Sequence, residues 1–386
     1  MTETLSLPNS QGALKVHGLG DVRLQDNCPL PFLEDDQILV RVRCVAINPV
    51  DAKVLDMGPI IGATLGCEFS GDVAKLGPAV KNKRLKVGTA VFGCVYGNHP
   101  GQLDNGAFAE FLVVAGDLVY LLPIHMSYQE GATLGVSLPT VGMAIYYPWK
   151  FPLPHADTMR QQLLASTNTP RNDPSHAQSH SSPLPRRNDA QHVLVYGGST
   201  AMGAMALQLL RMSGLVPVCT CSPQNFAMVK ALGAAEAFDY HKPSCGDDIC
   251  KYTAGTLAYA YDCITDVASM RICYKALGSG GGKYMGLDPF PLRAHTRRDV
   301  KPDWTITFTM FNKPLNLGRP FYRPARPKDR AFAEGWYENT QPLVDIPGLI
   351  KPHPVDLGSG GLQGVVRGLA RMRKGDVSGV KLIYTL

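Results

Sequence analysis

One segment constrains this chain more than any other. Residues 192–196 (HVLVY) form an almost unbroken apolar run, the mark of a parallel strand covered on both faces. The run enters GGSTAMG at 197–203 and then AMALQLLRMSG, whose apolar spacing predicts a helix ending at Gly214. The glycines fall as Gly198-x-x-x-x-Gly203, with Thr200 where a dinucleotide-binding turn usually carries its middle glycine. Small residues there let the backbone approach a pyrophosphate, and the free N–H groups of a helix start favour the anion. Gly198, Ser199, Thr200, Ala201 and Met202 are the candidate contacts; the competing reading is a tight strand-to-helix turn with no ligand. Further strands are expected at 216–221, 237–240, 259–264 and 282–287, with helices at 227–232 and 267–277 between some of them. That alternation predicts a doubly wound α/β domain.

The N-terminal part reads differently. Residues 37–45 (QILVRVRCV) alternate apolar with polar side chains, as a half-buried strand does, and glycines punctuate 66–106. Many short strands with glycine turns predict a small barrel or sandwich. At 386 residues the chain suits two domains rather than one core. Residues 155–190 stand apart: they are rich in Ser, Pro, Asn, Gln and His, and are expected to form a mobile insertion.

Bulk properties remove several classes of function. The formal charge of +6 is mild, with Lys and Arg scattered, and no basic stripe interleaved with aromatics favours nucleic acid. No apolar stretch approaches the ~20 residues of a membrane span. The first sixteen residues lack the pattern of a secretion signal, so a cytoplasmic protein is expected, its ten cysteines (with no C-x-x-C pair) reduced and mostly buried.

The second strand decides between the nicotinamide cofactors. An enzyme using NAD usually carries an acid there for the ribose 2′-hydroxyl. Residues 219–225 (CTCSPQN) contain none. A carboxylate ~4 Å from a 2′-phosphate would cost up to ~4 kcal/mol per unit charge at an effective dielectric of ~20. NADPH is therefore expected, held by Ser222, Pro223, Gln224 and Asn225, with Lys230 in the next helix as the nearest base.

Beyond this segment, several motifs in order resemble a known family. Residues 71–77 (GDVAKLG), 86–93 (KVGTAVFG), 106–111 (GAFAEF) and 374–382 (KGDVSGVKL) resemble the medium-chain dehydrogenase/reductases. Residues 46–53 (AINPVDAK), 195–201 (VYGGSTA), 221–225, 238–240 (FDY), 262–265 (DCIT) and 288–290 (DPF) are similar to the fungal trans-acting enoyl reductases of polyketide synthases. The resemblance implies an α/β chain with a GroES-like β-rich catalytic domain (1–125 and 318–386) and a Rossmann cofactor domain (126–317). It also implies hydride transfer from NADPH to the β-carbon of an α,β-unsaturated thioester on a carrier protein. The partner would be a polyketide synthase or polyketide–peptide hybrid synthase. A monomer is expected, because residues 289–303 carry three prolines and several charges that discourage edge pairing. A stand-alone NADPH quinone or enone reductase, or a non-catalytic NADPH-binding scaffold, would share much of this sequence pattern.

Several relatives use zinc, which would need a cysteine near Asn48 and a histidine within 66–68; neither is present, so no metal is expected. Enoyl reduction needs two flat reactants held face to face and donors for a developing oxyanion. The resemblance implies that Val50, Asp51, Ala52 and Lys53 contact NADPH, with Lys53 holding or polarising it. It places Thr140, Val141, Gly142 and Met143 beside nicotinamide and substrate, with the Thr140 hydroxyl as a donor; the competing reading of this segment is a helix start capped by Ser137. Leu287 and Asp288 would meet the nicotinamide end, Tyr240 the adenine side, and Ser378 and Gly379 the cofactor from the returning C-terminus. Phe308, Thr309, Met310, Phe311 and Asn312 would line an acyl pocket. No protein group stands out as the proton donor, which leaves water.

Overall fold

The computed structural model describes residues 7–167 and 191–386. It divides into two compact units. Met1–Pro139, Phe308–Tyr337 and Pro352–Leu386 form the first; Thr140–Thr307 and Glu338–Lys351 form the second.

The first unit begins with strands β1 (Gln11–Gly18), β2 (Asp21–Cys28) and β3 (Gln37–Ala46), then helix α1 (Pro49–Met57). Strands β4 (Glu68–Leu76), β5 (Ala90–Cys94), β6 (Phe111–Ala115) and β7 (Val119–Leu121) follow, with the short turn α2 (Tyr128–Gly131), and α3 (Ser137–Val141) runs across the boundary at Pro139 and Thr140. The second unit holds α4 (Tyr147–Trp149), α5 (Ala156–Thr167), β8 (His192–Tyr196), α6 (Ala201–Met212), β9 (Val216–Thr220), α7 (Phe226–Ala231) and β10 (Glu236–Phe238). It continues through α8 (Cys245–Tyr252), β11 (Tyr259–Asp262), α9 (Val267–Ala276), β12 (Gly282–Gly286) and β13 (Val300–Trp304). After α10 (Pro327–Val344), the chain completes the first unit with β14 (Val355–Gly358), α11 (Gly361–Lys374) and β15 (Lys381–Thr385).

Strand β3 organises the first unit. One edge pairs with β4; the other pairs with β6 over Gln37–Arg41 and with β15 over Cys44–Ala46. The sheet runs β14-β15-β3-β4-β5-β7 with β6 on β3, and β1 and β2 form a separate hairpin. The half-buried expectation for 37–45 needs correction, because both faces are covered. Ile38, Val40 and Val42 face the main core with Phe69 and Leu382, while Leu39 packs with Phe111 and Val113 on the opposite side. Arg41 is the β3 residue left exposed.

The second unit is a six-stranded parallel sheet ordered β10-β9-β8-β11-β12-β13. Counted from β8, this is the 3-2-1-4-5-6 order of dinucleotide-binding sheets, and it reverses between β8 and β11. Ligands of such sheets bind outside the carboxyl ends of the strands at that reversal. Flanked on both sides, β8 has Val193, Leu194 and Val195 fully buried, as its apolar run requires. The sixth strand, β13, was not expected. It lies at the sheet edge, where Pro302 can replace a ladder donor at little cost.

Of the segment 155–190, the first part is α5, with Met159 buried; residues 168–190 lie outside the described residues. No helix among the described residues is long and apolar enough to cross a membrane.

Candidate active site

In the second unit, the turn between β8 and α6 is built by close backbone approach. Gly197 adopts φ +83° and gives its N–H to Thr220 Oγ1 (3.1 Å), while Gly198 N–H binds Thr220 O (2.8 Å). A β-carbon on Gly198 would stand 2.7 Å from Cys219 Cβ, and one on Gly203 would stand 2.2 Å from Gly197 O. Thr200 serves as the N-cap of α6. Its hydroxyl donates to Gly197 O (2.8 Å) and accepts from Gly203 N–H (3.0 Å). The threonine at the middle-glycine position thus closes the turn that a glycine would leave open. Ala201 and Met202 occupy the first helical turn, where backbone N–H groups have no intrahelical acceptor. This cradle fits an anionic pyrophosphate.

At the end of β9, Ser222 leads into a 3-10 turn, Pro223–Asn225. The Ser222 and Tyr240 hydroxyls lie 3.4 Å apart, so two residues far apart in the chain share one corner. The Tyr240 ring sits 4.1 Å from that of His241, and Asp239 is taken up by the His241 N–H and imidazole. Lys230 does not stand ready for a phosphate: its ammonium pairs with Glu236 at 2.6 Å.

Asp262, the first residue of the DCIT segment, organises the reversal point, a role that its sequence setting does not announce. The carboxylate is fully buried and accepts four hydrogen bonds, from Ile264 N–H (2.9 Å), Thr265 N–H (2.9 Å), Ser269 Oγ (2.6 Å) and Tyr284 Oη (2.8 Å). Burial pushes its pKa up, and these donors oppose the shift. The loop it holds docks on β8 through Cys263 N–H to Tyr196 O (3.0 Å), and Thr265 Oγ1 receives the N–H of Leu287 (2.9 Å). Leu287 and Asp288, both half-buried, are therefore anchored beside the end of β12.

The first unit carries Val50, Asp51, Ala52 and Lys53 on α1. Lys53 is exposed and Val50 half-buried, while Ala52 and Asp51 face inward. The Asp51 carboxylate accepts the N-cap N–H of Asn48 (2.7 Å). Beneath the cap, the Asn48 amide donates to Glu68 Oε2 (2.9 Å), and Lys381 Nζ reaches both Asn48 Oδ1 (2.5 Å) and Glu68 Oε2 (2.7 Å). Among the described residues, no group of three His, Cys, Asp or Glu side chains has the arrangement of a metal site.

Burial raises the Asp51 pKa from 3.8 to about 7, against the hydrogen bond from Asn48. The folded chain therefore keeps a proton that the unfolded chain has lost. Its stabilising contribution is complete below pH ~4 and disappears as pH rises through about 7. Asp51→Asn, which does not titrate, should gain about 2–3 kcal/mol on wild type between pH 5 and pH 8. Paired denaturation curves at the two pH values check this; parallel pH dependence in both proteins would contradict it.

Thr140, Val141, Gly142 and Met143 are buried at the start of the second unit. Gly142–Tyr146 is a π-helical turn, a distortion frequent at functional sites. Thr307 Oγ1 donates to Thr140 Oγ1 (3.0 Å). Ser137 does not cap a helix start as expected; its hydroxyl turns back to the carbonyls of Thr133 and Leu134 (both 3.4 Å). Phe308, Thr309, Met310 and Phe311 belong to a 3-10 turn, with Thr309 and Met310 buried and Asn312 exposed at φ +53°. Phe308 stacks on Tyr96 (ring centres 4.6 Å), which meets His99 edge-on. The Tyr96 hydroxyl is buried with no hydrogen-bond partner among the described residues, and burial lifts its pKa to about 12. Nearby, a pocket of about 380 Å³ is lined by Glu34, His99, Gln102, Lys313 and Asn316. Ser378 is exposed, and Gly379 adopts φ +67° just before β15.

A β-rich unit and a parallel dinucleotide-type unit with this glycine turn define a two-domain oxidoreductase architecture. Residues 34–124 match the alcohol dehydrogenase GroES-like domain. Solved structures with the same fold include the CurK enoyl reductase (TM-score 0.68, 15% identity, 97% of this chain and 99% of that one). Another is the quinone oxidoreductase of Pseudomonas syringae (TM-score 0.65, 18% identity, 97% and 100%). The trans-enoyl reductase apdC of Emericella nidulans is 42% identical over 377 residues, 98% of each chain. The trans-enoyl reductase opdC of Penicillium oxalicum is 44% identical over 381 residues, again 98% of each. The chain belongs to the trans-enoyl reductases, oxidoreductases that act on carbon–carbon double bonds.

Proposed function

We propose that this chain reduces the α,β-double bond of a polyketide thioester held on the carrier protein of a polyketide synthase or polyketide–peptide hybrid synthase. It would act in the cytoplasm as a monomer beside that synthase. The observation that carries the reading is whole-length similarity to trans-enoyl reductases, together with an intact glycine turn on a sheet of dinucleotide-binding order.

NADPH, when bound, supplies the hydride to the β-carbon. Gly198, Ser199, Thr200, Ala201 and Met202 receive the pyrophosphate. Ser222, Pro223, Gln224, Asn225 and Tyr240 hold the adenosine end. The absence of an acid from 221–225 supports the 2′-phosphate form; Glu236, the nearest acid in sequence, is paired with Lys230, and Asp239 is engaged by His241. Leu287, Asp288, Val50, Asp51, Ala52, Lys53, Ser378 and Gly379 complete the cofactor contacts. Thr140 accepts a hydrogen bond from Thr307, which leaves its own proton to donate to the thioester oxygen as charge develops there. Val141, Gly142 and Met143 pack beside the reacting end, and the acyl chain runs along Phe308, Thr309, Met310, Phe311 and Asn312.

Hydride transfer is tested with NADPH deuterated at C4 and crotonyl-pantetheine in ordinary water. Deuterium should appear at the β-carbon of the saturated product and hydrogen at the α-carbon. Deuterium elsewhere, or none retained, would contradict the reading. Lys53→Ala should lower kcat/KM about 100-fold in the same assay, equivalent to about 2.7 kcal/mol. A loss below threefold would remove Lys53 from the site.

A further inference from the structure

Lys381 is the first residue of β15, and its side chain is 5% exposed. Its ammonium meets Glu68, which is fully buried, and Asn48, which begins α1. The Asn48 amide is held from both ends: Oδ1 accepts from Lys381, while Nδ2 donates to Glu68 and, at 3.5 Å, to Cys67 Sγ. That amide cannot flip or swing without losing a charged partner. Glu68 is fixed in turn by the N–H of Val136 at 2.6 Å. His353, held near a pKa of about 4 by burial and by Lys381, stays neutral and does not share the positive charge.

We propose that Lys381 is a positioning residue for the reduction, its buried ammonium tying the start of α1 to the return strand β15. Two cofactor-facing segments proposed above flank this one contact: residues 50–53 begin two positions after Asn48, and Gly379 ends two positions before Lys381. A single cation therefore sets where both segments lie. The inference rests on the reading that these segments meet the nicotinamide cofactor.

The test separates positioning from simple ion-pair stability in the full-length protein. Lys381→Met leaves the Glu68 carboxylate buried without its cation, so its unfolding temperature should fall sharply. The double variant Lys381→Met/Glu68→Gln is uncharged and should recover most of that loss. Its NADPH affinity, followed by fluorescence titration, should nevertheless stay at least tenfold weaker than wild type. With crotonyl-pantetheine, KM for NADPH should rise by a similar factor while kcat stays within about threefold. Recovery of both stability and NADPH affinity in the double variant would overturn the inference, leaving an ordinary structural ion pair. If the double variant does not fold, Asn48→Ser serves in its place, since a serine cannot span Glu68 and Lys381. Weakened NADPH binding supports the tether, and wild-type binding overturns it. A wild-type chain that binds neither NADPH nor NADH would sink the cofactor reading and this inference with it.

Discussion

Gly203→Ala is expected to abolish useful NADPH binding while leaving most of the chain folded. The added β-carbon would fall 2.2 Å from Gly197 O and 2.8 Å from Gly198 Cα. Both are backbone atoms, so no flexible side chain can move aside. The turn must open, which separates α6 from β8 and disperses the N–H groups proposed to receive the pyrophosphate. Overpacking of this kind costs ~1–3 kcal/mol in stability. Loss of the cradle should weaken NADPH binding at least 100-fold, read by fluorescence titration beside a denaturation curve. Gly335→Ala is the control, because a β-carbon there meets nothing within 4 Å inside α10. It should be neutral or slightly stabilising. Near-normal NADPH binding by Gly203→Ala would mean that the turn does not hold the pyrophosphate.

Asp262→Ala should be the most destabilising substitution in the second unit, at about 3–5 kcal/mol. It removes the acceptor for Ile264 N–H, Thr265 N–H, Ser269 and Tyr284 at a fully buried position. The loop after β11 should loosen with it, carrying away the support of Leu287. Asp262→Asn should cost less, since the hydroxyls of Ser269 and Tyr284 can rotate to accept from an amide. Urea denaturation measures both. A cost below 1 kcal/mol for the alanine variant would show that water replaces the carboxylate and that the hub is not what fixes the loop.

What the sequence disclosed, and what it hid, follows from the range over which each residue finds its partners. The run 192–196 and the turn behind it were legible because strand, glycines and helix are contiguous. The parallel sheet followed from the strand–helix alternation after it, and the GroES-like half from its ordered motifs. Strand β13 escaped notice because Pro302 and the charges of 289–303 look like loop chemistry, although an edge strand tolerates both. The burial of Leu39 depends on Phe111 and Val113, which no local alternation can announce. Lys230 looked available until folding brought Glu236 against it. Asp262 lay inside a noticed motif, but its role depends on Tyr284, 22 residues on. The cluster of Asn48, Glu68 and Lys381 closes over 333 residues, and only the fold assembles it.

The most direct test of the central claim is steady-state turnover of purified protein with NADPH and crotonyl-pantetheine, with NADH and a simple quinone run in parallel. Nicotinamide absorbance should fall as the saturated thioester forms. The rate should be far higher with NADPH than with NADH, and higher again when the acyl group is presented on a carrier protein. NADPH binding without reduction of any enoyl thioester, free or carrier-bound, would contradict the account, the more so if the quinone were reduced.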